Sequence, residues 1–344
     1  MNVSRLTRCL CVLLFTLFTL MLSPTTFAHT VPKKAGQITE YSLPKNSDPQ
    51  GITTGSDGNL WFTEYIRGKI GRITPQGTIT EYRVNACCPS DITSGPNGDL
   101  WYTVGDDNGK LNASYIGKIT LQGKSTLYPL FSQDRRVPFS ITVGPDGNLW
   151  FTIYQLNSHD LGDGVIGQMT PSGKITLIQL GANSIPLDIT AGPDGNLWFT
   201  ESDKSFIGLV QLNPSTLKLK KYPMPNGDPL SITTGPDGNL WLTDFTPGKI
   251  AEFNLSTSKF STHAIPTPNS RPWGITTGPD GNLWFTESGG NKIGRISPVS
   301  HAITEFPIPS PNSFPTQITP GPDGNVWFVE SIIGASKIGK ITTG

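Results

Sequence analysis

The chain has 344 residues, of which 38 are Gly and 30 are Pro, only 15% are charged, and basic and acidic side chains balance to a formal net charge of zero. Such a punctuated, turn-rich composition fits a globular protein and offers no general attraction for nucleic acid or an anionic membrane, so polyanion binding is set aside. At the start of the chain, residues 1–28 differ from the rest: Arg5 and Arg8 precede an apolar run from Leu10 to Leu22, and Thr26-Phe27-Ala28 makes a small-residue cleavage site. That pattern reads as a secretory signal peptide, too short in its apolar part for the roughly 20 residues that span a bilayer core. The mature chain then begins near His29, with 29–36 as a short linker, a secreted or extracytoplasmic location and no membrane span. Loss of Arg5 and Arg8 leaves 24 basic against 26 acidic residues.

Cys9 and Cys11 leave with the signal peptide, so the mature protein keeps the adjacent pair Cys87 and Cys88. Neighbouring Cα atoms lie about 3.8 Å apart, below the usual span of a disulfide. Two free thiols in a loop are the favoured reading, with a strained, reducible bridge as the alternative in an oxidising compartment.

From residue 37 onward the sequence repeats. Tryptophans recur at 61, 101, 150, 198, 241, 284 and 327, spaced by 40, 49, 48, 43, 43 and 43 residues. A period in the low forties with several short strands per unit is the mark of a β-propeller rather than a helical solenoid. In the sixth unit, "WGITTG", "NLWFTE", "KIGRIS" and "AITEFPI" read as four successive strands, each with β-branched or aromatic alternation. "GPDGN" supplies the Pro and Asp-Gly that a tight turn between the first two requires. The repeated Trp is assigned to packing between adjacent sheets, where burying a large apolar side chain contributes about 1.5–3 kcal/mol.

The last unit stops one outer strand short, and "QITEYSL" at 37–43 matches the missing strand. The prediction is therefore an all-β, seven-bladed propeller over 37–344, closed by the N-terminal strand pairing in the last blade so that no edge is left open.

Function is sought where the copies differ. The connection leading into each inner strand and the loop leaving each second strand meet on one face around the channel, and loops on a rigid scaffold usually carry binding groups. The lead-in residues are Gln50, Ser90, Phe139, Leu187, Leu230, Trp273 and Thr316; the lead-out residues are Glu64, Val104, Ile153, Glu201, Asp244, Glu287 and Glu330. Five acids among seven lead-out positions suit a divalent cation such as Mg²⁺ or Ca²⁺, or a cationic ligand. A residue repeated in most blades more often makes the same local pair in each, for example with the Lys or Arg of "KIGRI", and this structural role is favoured. Asymmetry appears at Arg271-Pro272-Trp273 and Phe314-Pro315-Thr316, and in two longer loops that hold Asp106, Asp107, Asp160 and Asp163 without the spacing of a defined calcium loop. Of four histidines, His29 lies at the new N-terminus, His263 and His301 fall in or beside outer strands, and only His159 sits in a loop of the channel face, where a carboxylate could orient it as a base. There is no G-x-S-x-G, Walker loop, H-E-x-x-H or paired C-x-x-C.

The stretch "RPWGITTGPDGNLWFTESGGNKIGRISPVSHAITEFPIP" and its companions resemble the streptogramin B lyase (virginiamycin B lyase) family over essentially residues 37–344. That resemblance implies a seven-bladed propeller and, for true lyases, Mg²⁺-assisted elimination that opens a cyclic depsipeptide antibiotic, with a histidine base and a metal that steadies the developing enolate. The family's motif has a histidine after the proline at the lead-in of two successive late blades, where this chain has Trp273 and Thr316, and an acid before the second proline, where it has Phe314. Glu330 remains near the place of a further acid. Neither Trp nor Thr is a base near neutral pH.

The expectation is an exported, monomeric propeller that binds a small-molecule or peptide ligand, or a protein partner, at its channel face through Arg271, Trp273, Glu287, Thr316, Glu330, Glu64, Glu201, Asp244 and His159. The rivals are a divergent metal-dependent lyase and a lactonase-like hydrolase.

Overall fold

The computed structural model describes residues 34–105, 113–132, 136–155, 163–181, 183–203, 206–224, 226–332 and 334–344. The proposed signal peptide, His29, Asp106, Asp107, His159 and Asp160 lie outside the described residues. Those described form seven antiparallel four-stranded sheets arranged as a propeller; no helix among them is long and apolar enough to cross a membrane. Blade six shows the pattern: an inner strand Pro272–Thr277, then Leu283–Glu287, Lys292–Ile296 and an outer strand Ile303–Pro307. Inner strands of successive blades lie side by side, and that of blade seven lies beside that of blade one.

Closure occurs as the sequence predicts. Ile38–Ser42 pairs antiparallel with Lys337–Ile341, in register from Ile38 opposite Ile341 to Ser42 opposite Lys337, and supplies the outer strand of blade seven.

The tryptophans do pack between sheets. All seven are at most 1% exposed, and each sits in a cluster with residues of the following blade; Trp61, for example, joins Ile92, Leu100 and Tyr102. Outer-strand aromatics cover them: Tyr82 on Trp61, Tyr128 on Trp101, Phe306 on Trp284 and Tyr41 on Trp327 stack at 5.4–5.6 Å between ring centroids. The Gly of "KIG" has a packing reason, because a Cβ on Gly71 would lie 2.1 Å from the Phe62 ring.

The "GPDGN" turn does more than reverse the chain. Gly281 takes a φ of 75°, as the turn requires. Asp280 Oδ1 accepts from the Trp284 indole N–H at 2.9 Å, and its Oδ2 accepts from Asn282 Nδ2 at 2.8 Å. The same Asp–Trp bond recurs at 57/61, 146/150, 194/198, 237/241 and 323/327. In Asp57, Asp146, Asp194 and Asp323 these bonds outweigh burial and hold the carboxyl below its ordinary range. The repeated Asp thus satisfies the one polar atom that the buried Trp carries.

A belt of second-strand threonines locks blade to blade. Each accepts from an inner-strand N–H and donates to the lead-in carbonyl of the next blade, as in Thr63 to Ser90 O at 2.7 Å and Thr286 to Thr316 O at 2.6 Å. No disulfide joins Cys87 to Cys88, in line with the favoured of the two sequence readings.

Candidate functional site

The channel is built from the inner strands, and its two halves differ. At the position after each lead-in residue the chain carries Gly51, Asp91, Ser140, Asp188, Ser231, Gly274 and Gln317. Across blades two to five these residues interlock. Ser140 Oγ lies 3.1 Å from Asp91 Oδ2 and 2.7 Å from Asp188 Oδ1, and Ser231 Oγ donates to Asp188 Oδ2 at 2.6 Å. Backbone N–H groups of Ile92 and Ile141 donate to Asp91, and those of Ile189 and Ile232 donate to Asp188.

A single serine proton cannot serve two carboxylates at once, so the arrangement is complete when one carboxyl keeps its proton and donates to Ser140. Burial, together with the neighbouring Asp188 charge, pushes Asp91 up to about 7, and burial also raises Asp188. The other half of the ring has no such buckle. There, a Cβ on Gly51 would come within 2.9 Å of the Asp91 backbone, and one on Gly274 within 2.7 Å of Thr316 O. A small recess at the axis is lined by Gln50, Ser90, Asp91, Phe139, Ser140, Trp273 and Gln317. Asp91, Ser140, Asp188 and Ser231 escaped the sequence reading; the alternation Asp-Ser-Asp-Ser over four consecutive repeats was the available signal.

Trp273, half-exposed on its inner strand, stands edge-on to Phe245 at 5.8 Å and 86°. Thr316 is 8% exposed and shares a hydroxyl contact of 3.2 Å with Ser331. Arg271 is exposed, and it and Phe314 hold φ of 46° and 47° just before their prolines. Asp48 and Cys88 do the same at blades one and two, with φ of 47° and 61°. Left-handed backbone at non-glycine residues stores strain, and directly before the inner-strand proline it occurs at blades six, seven, one and two.

The five lead-out acids are deeply buried: Glu64, Glu201, Glu287 and Glu330 are 0% exposed and Asp244 is 2% exposed. Each faces groups of its own blade. Glu64 meets Arg67 at 3.2 Å, Glu201 meets Lys221 at 3.0 Å and Ser184 at 2.6 Å, and Asp244 accepts from the Asp228 N–H at 2.6 Å. The "KIGRI" arginines do not pair with them but with the turn acids, Arg72 with Asp57 and Arg295 with Asp280, both at 3.8 Å. Burial pushes Glu287 and Glu330 up to about 8, helped by the nearby charges of Glu305 and Glu40. Burial, with a contribution from Glu81, brings Glu64 to about 7.

These carboxyls do not fit a hydrated divalent cation, which needs oxygen ligands open to water. Among the described residues no three channel acids converge; the one His/Cys/Asp/Glu group that does lies elsewhere, at Glu252, His263 and His301. Asp163 is exposed.

The sequence profile of the virginiamycin B lyase family matches residues 28–177 and 158–344. A solved streptogramin B lyase superposes with a TM-score of 0.76 at 33% identity, covering 90% of this chain and 100% of that one. A catalytically inactive histidine-to-alanine variant of virginiamycin B lyase from Staphylococcus aureus, solved with quinupristin, gives 0.75 at 32% identity, covering 89% of this chain and 99% of the other. A virginiamycin B lyase from Saccharopolyspora erythraea is 43% identical over 51 residues, 14% of this chain and 17% of its own length.

Proposed function

This chain belongs to the virginiamycin B lyase family, and from that premise we propose that it is an exported propeller that binds a small-molecule or peptide ligand at the mouth of its channel, without lyase activity. The observation that carries the reading is the composition of the axial recess: an indole, a phenyl ring, two amides, two hydroxyls and a carboxyl, with no imidazole among the described lining residues. Aromatic faces with a few convergent polar groups are what binding sites for organic ligands offer. The strained lead-ins at Arg271 and Phe314 flank the same sector and support it.

Two considerations argue against catalysis. The S. aureus relative is catalytically inactive when one histidine becomes alanine, and the positions where the family's motif carries histidines hold Trp273 and Thr316 here. The described histidines, His263 and His301, lie on or beside outer strands. Export is supported by the N-terminal pattern of Arg5, Arg8 and the apolar run that follows.

The test is to incubate the purified protein with Mg²⁺ and quinupristin and look for a ring-opened product by mass spectrometry, while titrating quinupristin against Trp fluorescence. Saturable binding without product supports the proposal. Turnover that a chelator abolishes overturns it.

A further inference from the structure

Two columns of the repeat change their chemistry at a single place, the groove between blades five and six, and a third brings an imidazole to that same groove. Opposite the packing Trp, the third strand carries Arg72, Lys118, Gln168, Gln211, Arg295 and Lys340 in six blades, and Glu252 in blade five. The outer strand carries Tyr82, Tyr128, Ile178, Tyr222, Phe306 and Tyr41 in those blades, and His263 in blade five. The neighbouring blade's outer turn closes over that residue with Gly77, Gly123 or Gly173 in blades one to three and holds Leu217 and Ser258 at the matching left-handed position of blades four and five; in blade six it holds His301, at a φ of 57°.

In the other six blades, that third-strand residue donates to or pairs with the turn Asp beside the Trp; Lys118 reaches Asp99 at 2.7 Å, and Gln211 reaches Asp194 at 2.8 Å. Four of them also place a cation over the indole, Arg72, Lys118, Arg295 and Lys340, at 4.9–5.7 Å from the ring centroid. Blade five reverses the sign. Glu252 and Asp237 both accept from Asn239 Nδ2, at 2.8 and 2.9 Å, and the positive charge that the repeat normally keeps there is missing.

We propose that Glu252, His263 and His301 form a binding site for a divalent transition metal of the imidazole-preferring kind, Zn²⁺ above all, in this groove. One donor atom from each lies within 4.8 Å of the others. Glu252 Oε2 stands 3.4 Å from His301 Nε2 and 3.9 Å from His263 Nε2. Tetrahedral ligands about 2.0–2.1 Å from zinc stand roughly 3.4 Å from one another, so small side-chain movements bring all three onto one ion. The rings now stack at 4.2 Å and 27°, and because an imidazole donates in its own plane, binding tilts them out of that stack. The His301 side chain is 40% exposed and has room to turn, and it leaves the ion open to solvent on one side. Outer bonds hold the carboxylate: Asn239 anchors Oε1, and the Ser261 hydroxyl donates to Oε2 at 3.2 Å. Two imidazoles and one carboxylate select Zn²⁺, Co²⁺, Ni²⁺ or Cu²⁺ over Mg²⁺ and Ca²⁺. The ion would stand near Trp241, supplying the positive charge that Arg or Lys supplies to other blades, and the site is independent of the channel reading.

The experiment strips the purified protein with chelator, titrates it with Zn²⁺ by calorimetry, and titrates a second sample with Co²⁺ followed by its visible d–d absorption. One equivalent per chain is expected, with a higher melting temperature for the loaded protein. His301→Gly installs the residue of the matching turns at Gly77, Gly123 and Gly173, and should weaken Zn²⁺ by an order of magnitude or more and remove the Co²⁺ band. Glu252→Arg, which reinstates the pattern of blades one and six, should abolish binding and raise the melting temperature of the metal-free protein. Absence of saturable binding, or equal affinity in folded His301→Gly and Glu252→Arg, overturns the proposal.

Discussion

The Ser331 hydroxyl donates to the Pro49 carbonyl across the seam where the last blade meets the first. Blades one to six make that junction with a second-strand threonine, but blade seven has Val329 in its place, buried and without a hydroxyl. Ser331, two residues on, supplies a bond across this junction, which joins residues far apart in sequence. Ser331→Ala should therefore cost about 1–2 kcal/mol, the usual loss when a buried acceptor is left unpaired. Denaturant midpoints of the two proteins measure it; an unchanged midpoint would show that the seam holds without this bond.

The same seam depends on the first strand. Deleting residues 37–44 removes every pair from Ile38 opposite Ile341 to Ser42 opposite Lys337 and uncovers Trp327, on which Tyr41 stacks at 5.6 Å. A loss of several kcal/mol is expected, with an exposed edge that favours association. Thermal melts and light scattering check both outcomes, and a truncated protein that melts with the full chain would contradict the closure.

Asp280 offers a third test. Its carboxylate accepts from the Trp284 indole and from the Asn282 backbone and amide. Asp280→Ala leaves a buried N–H without a partner and should cost about 1–3 kcal/mol. Asp280→Asn keeps an acceptor oxygen and should cost less. If the two variants melt together, the bond to Trp284 does not matter.

Blade number, strand order and closure were legible because the repeat writes the same turn, strand and packing residue seven times, and the period fixes the count. The role of Asp280 was half-legible: its turn chemistry shows in "PDG", but its bond to a tryptophan four residues later depends on how the hairpin folds back. The lead-out acids could be located and given a local structural role, but not their partners, because only three-dimensional packing brings Glu287 to Glu305 and Glu330 to Glu40. The meeting of Glu252, His263 and His301 was hidden for another reason. They come from three columns of the repeat and two blades, and adjacency across a blade boundary is set by ring geometry.

Stability should fall as pH rises through neutrality. Asp91 goes up to about 7, and Glu287 and Glu330 go up to about 8. A carboxyl with a raised folded-state pKa keeps its proton in the fold after the unfolded chain has lost it, so stability is full below the unfolded value near 4 and is lost up to the folded value. The window is thus from about pH 4 to about pH 8. Asp91→Asn carries no proton to lose and should flatten the part of the slope below pH 7, at a fixed cost, because an amide N–H turned to Ser140 no longer accepts from the Ile141 N–H. Its melting temperature should fall less than that of the parent between pH 4 and pH 8, by about 2 °C or more. Parallel melting curves for the two proteins across that window would place the titration elsewhere.

Trp273 is the side chain on which the binding proposal can be tested without disturbing the fold. Its backbone oxygen, not its ring, accepts from Thr243 at 2.8 Å, so the inter-blade belt survives truncation. The ring is half-exposed at the recess and braced by Phe245, a geometry that presents a flat apolar face at little cost in side-chain freedom. Trp273→Ala should weaken quinupristin binding by about tenfold or more, equivalent to about 1.4 kcal/mol, while the melting temperature moves little. Isothermal titration of both proteins separates the outcomes. Equal affinity with the ring removed would place binding away from the channel mouth, and a collapse in stability would mark Trp273 as a packing residue like the seven buried tryptophans.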